Sequence, residues 1–271
     1  MLVSITCFAA NSLLLKLLAR RAVDPWLSLS ARFALGLALT MVLLAPELKR
    51  CFRNRLLVSR GILGGLATIC FYFSVGPLGA GKAALIGTLW PVFATAGSVL
   101  MLGERLALGN SLGIALALGG LALLTGVELG AIRPPSCWEL TGLAGSVLAA
   151  AVVLVIRELT RTESSATIFT SQCLFGLLLG LPFAFVRFEP IAAADWALVG
   201  LASACAAAGQ LSMTEGFRFL AVATGGALQI VVPLVVSIGG VIFFDERFTL
   251  LQAGGGGLIL AGAALALRRS P

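Results

Sequence analysis

One stretch of this chain occurs twice. Leu78 to Leu124 and Leu220 to Ala266 align without a gap, so that Pro91 meets Pro233 and Gly97 meets Gly239. Glu104-Arg105 meets Glu246-Arg247, Gly113 meets Gly255, and Gly120 meets Gly262. Each copy is a long apolar segment with a central proline, a charged turn and a glycine-rich apolar segment. A repeat of this size marks two homologous halves, because solenoid units are far shorter. Apolar halves of this kind are the mark of a membrane transporter built from internal repeats.

The solvent for such a chain is lipid. Its 271 residues are 59% hydrophobic and 11% charged, against about 25% charged in soluble domains. A net charge of +7 would suit nucleic acid only with a solvated basic face. None is available here, and the excess Lys and Arg reads instead as membrane orientation. No partner is expected beyond a small molecule and the bilayer, and a monomer is favoured over a homodimer.

Cys7, Cys51, Cys70, Cys137, Cys173 and Cys205 form no C-x-x-C pair, and most fall in apolar runs, where cysteine packs as a small hydrophobe. Histidine is absent, which removes the commonest metal ligand and general base. No metal, cofactor or catalytic residue is therefore expected, and the chain does not read as an enzyme. The N-terminal run lacks a basic leader and a clean cleavage site, so it reads as a first helix.

About 20 apolar residues cross a bilayer as a helix. Ten such runs stand at about 2–19, 27–46, 57–76, 81–102, 108–127, 138–157, 167–186, 195–215, 222–244 and 250–267. They are continuously apolar, so they are helices and not barrel strands. Alternating sides collect Lys49, Arg50, Arg53, Arg55, Arg60, Arg105, Arg157, Arg161, Arg218, Arg268 and Arg269 on one face. Arg20, Arg21, Lys82, Arg133, Arg187 and Arg247 fall on the other. The heavier face is expected to be cytoplasmic, with both termini inside a bacterial-type inner membrane. Five helices separate the copies, so the second runs the opposite way. The expected fold is an all-α integral membrane protein, with ten transmembrane helices as two inverted five-helix repeats, 1–130 and 131–271.

Ten helices as five plus five, a mid-helix proline before an L-G-E-R or D-E-R turn, and a glycine-rich helix after it resemble the EamA-type drug/metabolite transporters. Leu89-Trp90-Pro91 is similar to the ten-helix aromatic amino-acid exporters of that superfamily. The resemblance implies a secondary transporter and favours export. It leaves open a multidrug exporter of cations, though Asn11 stands where small multidrug relatives carry a proton-exchanging glutamate.

The residues themselves narrow the chemistry. Gly76 to Ala83 nearly matches a phosphate loop, but Ala83 replaces the magnesium-binding hydroxyl and no strand precedes it. Pro91 and Pro233 each remove a backbone hydrogen bond mid-helix, which makes a kink and a candidate gate. Glu104 and Glu246 stand at helix ends and read as turn residues. Gly109, Gly113 and Ala117, like Ala253, Gly257 and Ala261, repeat at four-residue spacing and predict close packing of the fifth and tenth helices against each other or against neighbouring helices, in preference to a dimer interface.

Polar residues within the spans are few. Asn11, Ser12, Thr68, Tyr72, Trp90, Gln172, Gln210 and Gln229 lie away from helix ends, where uncompensated polarity is costly. Each can serve interhelical hydrogen bonding; as a set they favour a wet cavity walled by Asn11, Tyr72, Trp90, Gln210 and Gln229. Arg32 lies more than a turn inside its helix and biases that cavity positive, so a zwitterion or anion is preferred. A channel would want rings of repeated polar residues, and a structural protein would not need mid-depth polarity in both halves.

Overall fold

The computed structural model describes residues 1–44, 48–78, 86–103, 108–125, 136–186, 190–244 and 249–268. Glu104, Arg105, Glu246, Arg247 and the Gly81-Lys82-Ala83 turn lie outside the described residues. In chain order the helices are α1 (Leu2–Arg20), α2 (Pro25–Leu44), α3 (Leu48–Arg53), α4 (Arg55–Leu78), α5 (Trp90–Leu102) and α6 (Leu108–Thr125). They continue as α7 (Cys137–Leu159), α8 (Ser165–Val186), α9 (Ala193–Phe219), α10 (Val222–Gln229), α11 (Val231–Phe244) and α12 (Leu250–Arg268). Among the described residues no strand occurs.

Among the described residues, seven segments are long and apolar enough to cross a membrane, with α10 and α11 taken as one, and three shorter apolar helices complete the ten runs. Val42, Leu100 and Leu250 stand exposed on helix surfaces, as side chains facing lipid would. The fold is the all-helical membrane architecture expected from the hydropathy.

Helix starts follow local polarity. Asp24 Oδ1 accepts from the N–H of Trp26 at 2.7 Å and of Leu27 at 3.2 Å, with Pro25 opening α2. Before α7, the Ser136 N–H donates to Glu139 Oε2 at 2.6 Å and the Glu139 N–H to Ser136 Oγ at 3.3 Å, a reciprocal cap.

Two compact units result, each drawing helices from both halves of the sequence: Met1–Tyr72 with Val155–Phe219, and Phe73–Leu154 with Leu220–Pro271. In the first unit α1 runs antiparallel to α9. Arg21 pairs with Asp195 at 2.9 Å, Asn11 bonds to Ala202, Gly209 faces Phe8, and Gly216 faces Met1. Leu18, Val23, Leu27, Val199 and Ala202 fill the apolar core between α1, α2 and α9. Trp26 stacks on Phe183 with ring centroids 4.5 Å apart, joining α2 to α8.

The Met1 end of this unit is laced by polar contacts. Asn54 Nδ2 donates to Glu163 Oε1 at 3.2 Å, Arg50 lies 3.6 Å from Glu163 Oε2, and Arg218 Nη2 donates to the Glu163 carbonyl at 3.0 Å. Arg50 and Arg218, counted to one side in sequence, thus stand together. Arg21, counted to the other, stands at the opposite end.

In the second unit α6 packs along α12, and α10 packs on α5, α6 and α12. The core is Ile114, Ala117, Leu121, Ala223, Ala227, Ile230, Leu234 and Ile259. Packing of the fifth and tenth spans is as expected, but one face differs. Gly109, Gly113 and Ala117 are buried, whereas Ala253, Gly257 and Ala261 are exposed. The glycine run after Ala253 offers several faces, and Gly255, Ile259 and Gly262 supply the seam.

Candidate substrate site

In the first unit, α-helical spacing aims side chains from four helices at one crevice. Asn11, Leu15 and Leu18 come from α1, Ser28 and Arg32 from α2, Tyr72 from α4, and Val199, Ala202 and Ser203 from α9. The intervals of three, four and seven residues keep each set on one helix face. Among the described residues the lining carries one guanidinium and no carboxylate.

Several of these groups hold the wall. Asn11 Nδ2 donates to the Ala202 carbonyl at 2.8 Å, and Ser203 Oγ donates to the Val199 carbonyl at 2.7 Å. Tyr72 is 8% exposed and, among the described residues, its hydroxyl has no hydrogen-bond partner. An orphaned buried hydroxyl is costly, and a polar group brought to the Tyr72 hydroxyl would relieve that cost. The atom-free space is about 170 Å³ and too narrow for a water-sized sphere. Small-molecule pockets start at ~300 Å³, so the crevice as it stands would admit a small molecule only if these helices parted.

Gln210 stands two turns along α9 from Ser203, buried, with Nε2 unpartnered. It does not line the crevice. Trp90 and Gln229 belong to the second unit, where they flank two helix interruptions. Thr88 and Leu89 form a turn before α5, with the Leu89 N–H bonding to the Ile86 carbonyl at 3.1 Å. Ile230 likewise separates α10 from α11. Each interruption precedes its proline, Pro91 or Pro233, by two or three residues. The expected kink is therefore a break, because the proline ring denies the carbonyl four residues earlier its helical donor. Ser146 Oγ donates to the Ile86 carbonyl at 2.5 Å and so caps the first break. Gly226 on α10 lets Pro91 approach, since a methyl there would lie 2.9 Å from Pro91 Cβ.

Broken helices that free backbone carbonyls are a recurrent device of secondary transporters. The EamA-like transporter profile matches residues 1–126 and again 136–268.

The chain belongs to the EamA-like transporter family.

It is 26% identical over 218 residues to the pseudopaline exporter CntI of Pseudomonas aeruginosa, covering 79% of this chain and 75% of that protein. It is 27% identical over 220 residues to an uncharacterized transporter of Archaeoglobus fulgidus, covering 79% and 77%. A solved crystal structure at 20% identity shares the fold, with a TM-score of 0.78 over 99% of this chain and 97% of that one. The protein is a multi-pass membrane transporter of the EamA family.

Some polar groups of this EamA protein escaped the sequence reading. Ser28 and Ser203 line the crevice beside Arg32 and Ala202; their spacing of one turn from Arg32 and from Val199 was the available signal. Asn110 Nδ2 donates to Thr224 Oγ1 at 3.4 Å inside the second unit. Arg60, counted with the interfacial cations, is fully buried.

Proposed function

We propose that this EamA transporter exports a small zwitterionic or anionic metabolite, such as an amino acid or a related compound, by alternating access without ATP. The observation that carries the reading is the Arg32 crevice, whose lining includes a guanidinium and an unpartnered Tyr72 hydroxyl and, among the described residues, no carboxylate. A substrate carboxylate supplies the missing charge, and Arg suits it through bidentate donation. Asn11 holds the wall by its bond to α9. Gln210, and Trp90 with Gln229 at the breaks of the second unit, are assigned to selectivity, and Pro91 and Pro233 to gating. CntI, named as an exporter, supports the direction.

Two repeats are assigned, 1–130 and 131–271, which the two separate profile matches support, and the second is taken to run inverted to the first. Both termini are placed in the cytoplasm of a bacterial-type inner membrane, with a monomer as the working unit. Met1 stands at the end of the first unit that carries Arg50 and Arg218, which fits the excess of positive charge inside.

The test is a thermal-shift panel on purified protein with neutral and acidic amino acids, pseudopaline and a lipophilic cation. A ligand of the folded state raises the melting midpoint. Stabilisation by carboxylate-bearing compounds, weakened in Arg32→Gln, is expected. Stabilisation by the cation alone would overturn the anion reading in favour of a cationic-drug exporter.

A further inference from the structure

Among the described residues, Arg60 is the one charged side chain that is fully buried, at 0% exposure. It stands five residues beyond the start of α4, about 7–8 Å along the helix axis. Nη2 donates to Gln172 Oε1 on α8 at 2.8 Å. Gln172 Nε2 in turn reaches Thr68 Oγ1 at 3.5 Å. Among the described residues, Nε and Nη1 of Arg60 have no acceptor.

The surroundings fit a guanidinium deliberately housed. Gly64, one turn on, leaves the space that Nη1 occupies, and a methyl there would collide with it. Gly61 lets Ser171 and Phe175 of α8 approach closely. The Ser171 hydroxyl also donates to the Leu57 carbonyl, tying α8 to α4 beside the site. Arg32 and Arg60 both lie within electrostatic range of Cys173 on α8, so two cations share this interior. A guanidinium stays ionised in any protein setting. Buried and unpaired, it is among the least favourable groups a fold can carry. The side chain facing it is a neutral amide where a carboxylate would complete the pair.

We propose that Arg60, held by Gln172 over Gly64, is an anion-binding site inside the first unit, separate from the Arg32 crevice. Its ligand is a compact anion: the carboxylate of a transported metabolite, or a free inorganic anion. As a substrate site it rests on the anionic cargo proposed above; as an inorganic-anion site it stands without that reading. The free Nε–H and the Nη1 amino group supply the binding, and Gln172 fixes the plane of the fork.

The experiment measures melting midpoints of the purified full-length protein in sodium HEPES, with sodium chloride or sodium acetate added at matched ionic strength. The wild type is expected to gain several degrees with at least one of the two anions. Acetate alone assigns a carboxylate ligand; chloride, with or without acetate, assigns an inorganic one. Arg60→Gln removes the response, and Arg32→Gln keeps it. Gln172→Glu places an internal carboxylate against Arg60, so that variant is at least as stable as wild type without added anion and does not respond to it. This variant decides the matter should Arg60→Gln not fold. No response in the wild type, or an undiminished response in Gln172→Glu, overturns the proposal. Failure of the Arg32 reading would instead leave the anion response intact while Arg32→Gln transports normally.

Discussion

A methyl group on Gly120 of α6 would lie 2.5 Å from the carbonyl oxygen of Gly255 on α12. The reciprocal contact recurs in the repeat register: a methyl on Gly262 of α12 would lie 2.5 Å from the carbonyl oxygen of Gly113 on α6. Ile259 and Ala117 complete the two contacts at equivalent positions. The seam is a local two-fold, written by one pattern used twice.

Gly120→Ala and Gly262→Ala force the two backbones apart and are expected to destabilise the protein by about 1–3 kcal/mol each, as overpacking does. Gly254→Ala and Gly257→Ala meet nothing within 4 Å and leave the melting midpoint unchanged or raised. Equal effects at all four positions would show that the seam is not where the structure places it.

The repeat was legible because glycines and prolines carry backbone constraints that survive divergence of the other side chains. The face of α12 was not, because a glycine at Gly254, Gly255, Gly256 and Gly257 satisfies every helical register at once. Arg60 was missed for a different reason. Counting charges assigns a cation near a helix end to the interface, and only the third dimension reveals that Gly64 lets it fold inward. In contrast, Asn11, Arg32 and Tyr72 were readable from depth alone, and they share one crevice. Trp90 and Gln229 share a different neighbourhood, the helix breaks, which their depth could not distinguish.

Pro91→Ala and Pro233→Ala return an N–H to each break and allow the helix to close over it. Folding is expected to survive and turnover to fall, since one conformation gains over the other. Gly226→Ala, which crowds Pro91, lowers the melting midpoint as well. Unchanged turnover in both proline variants would leave the breaks a purely architectural role.

Gln210 offers a sharper separation of binding from folding. Its Nε2 is buried without a partner, and such a group gives no stability in the ligand-free protein. Gln210→Leu is therefore expected to match or exceed the wild-type melting midpoint while changing the order of preference among substrates. A variant that is destabilised, or that keeps the wild-type selectivity, contradicts this assignment.

Cysteine labelling reads the topology. Cys137 is exposed at the start of α7, between the halves. Cys51 is fully buried in α3, and its thiol pKa is raised by burial and then by the charge of Glu163. The thiolate is the reactive form, so Cys51 carries less of it than a free cysteine at any pH below its raised value. Single-cysteine proteins in intact cells should therefore react with an impermeant maleimide at Cys137. Cys51 should stay unlabelled at pH 7–8 even after permeabilisation, its reactivity rising only at more alkaline pH. Labelling of Cys137 only after permeabilisation would reverse the proposed orientation.

The most direct test of the Arg32 crevice is counterflow in proteoliposomes, using the carboxylate-bearing compound that stabilises the protein most in the ligand panel. Uptake of labelled compound should saturate and should accelerate when the vesicles are preloaded with unlabelled compound. Arg32→Gln loses a charge-assisted hydrogen bond of about 1.5–3 kcal/mol, so its half-saturation concentration should rise about tenfold or more. Flux that neither saturates nor responds to preloading, or an Arg32→Gln protein with wild-type half-saturation, would contradict the account.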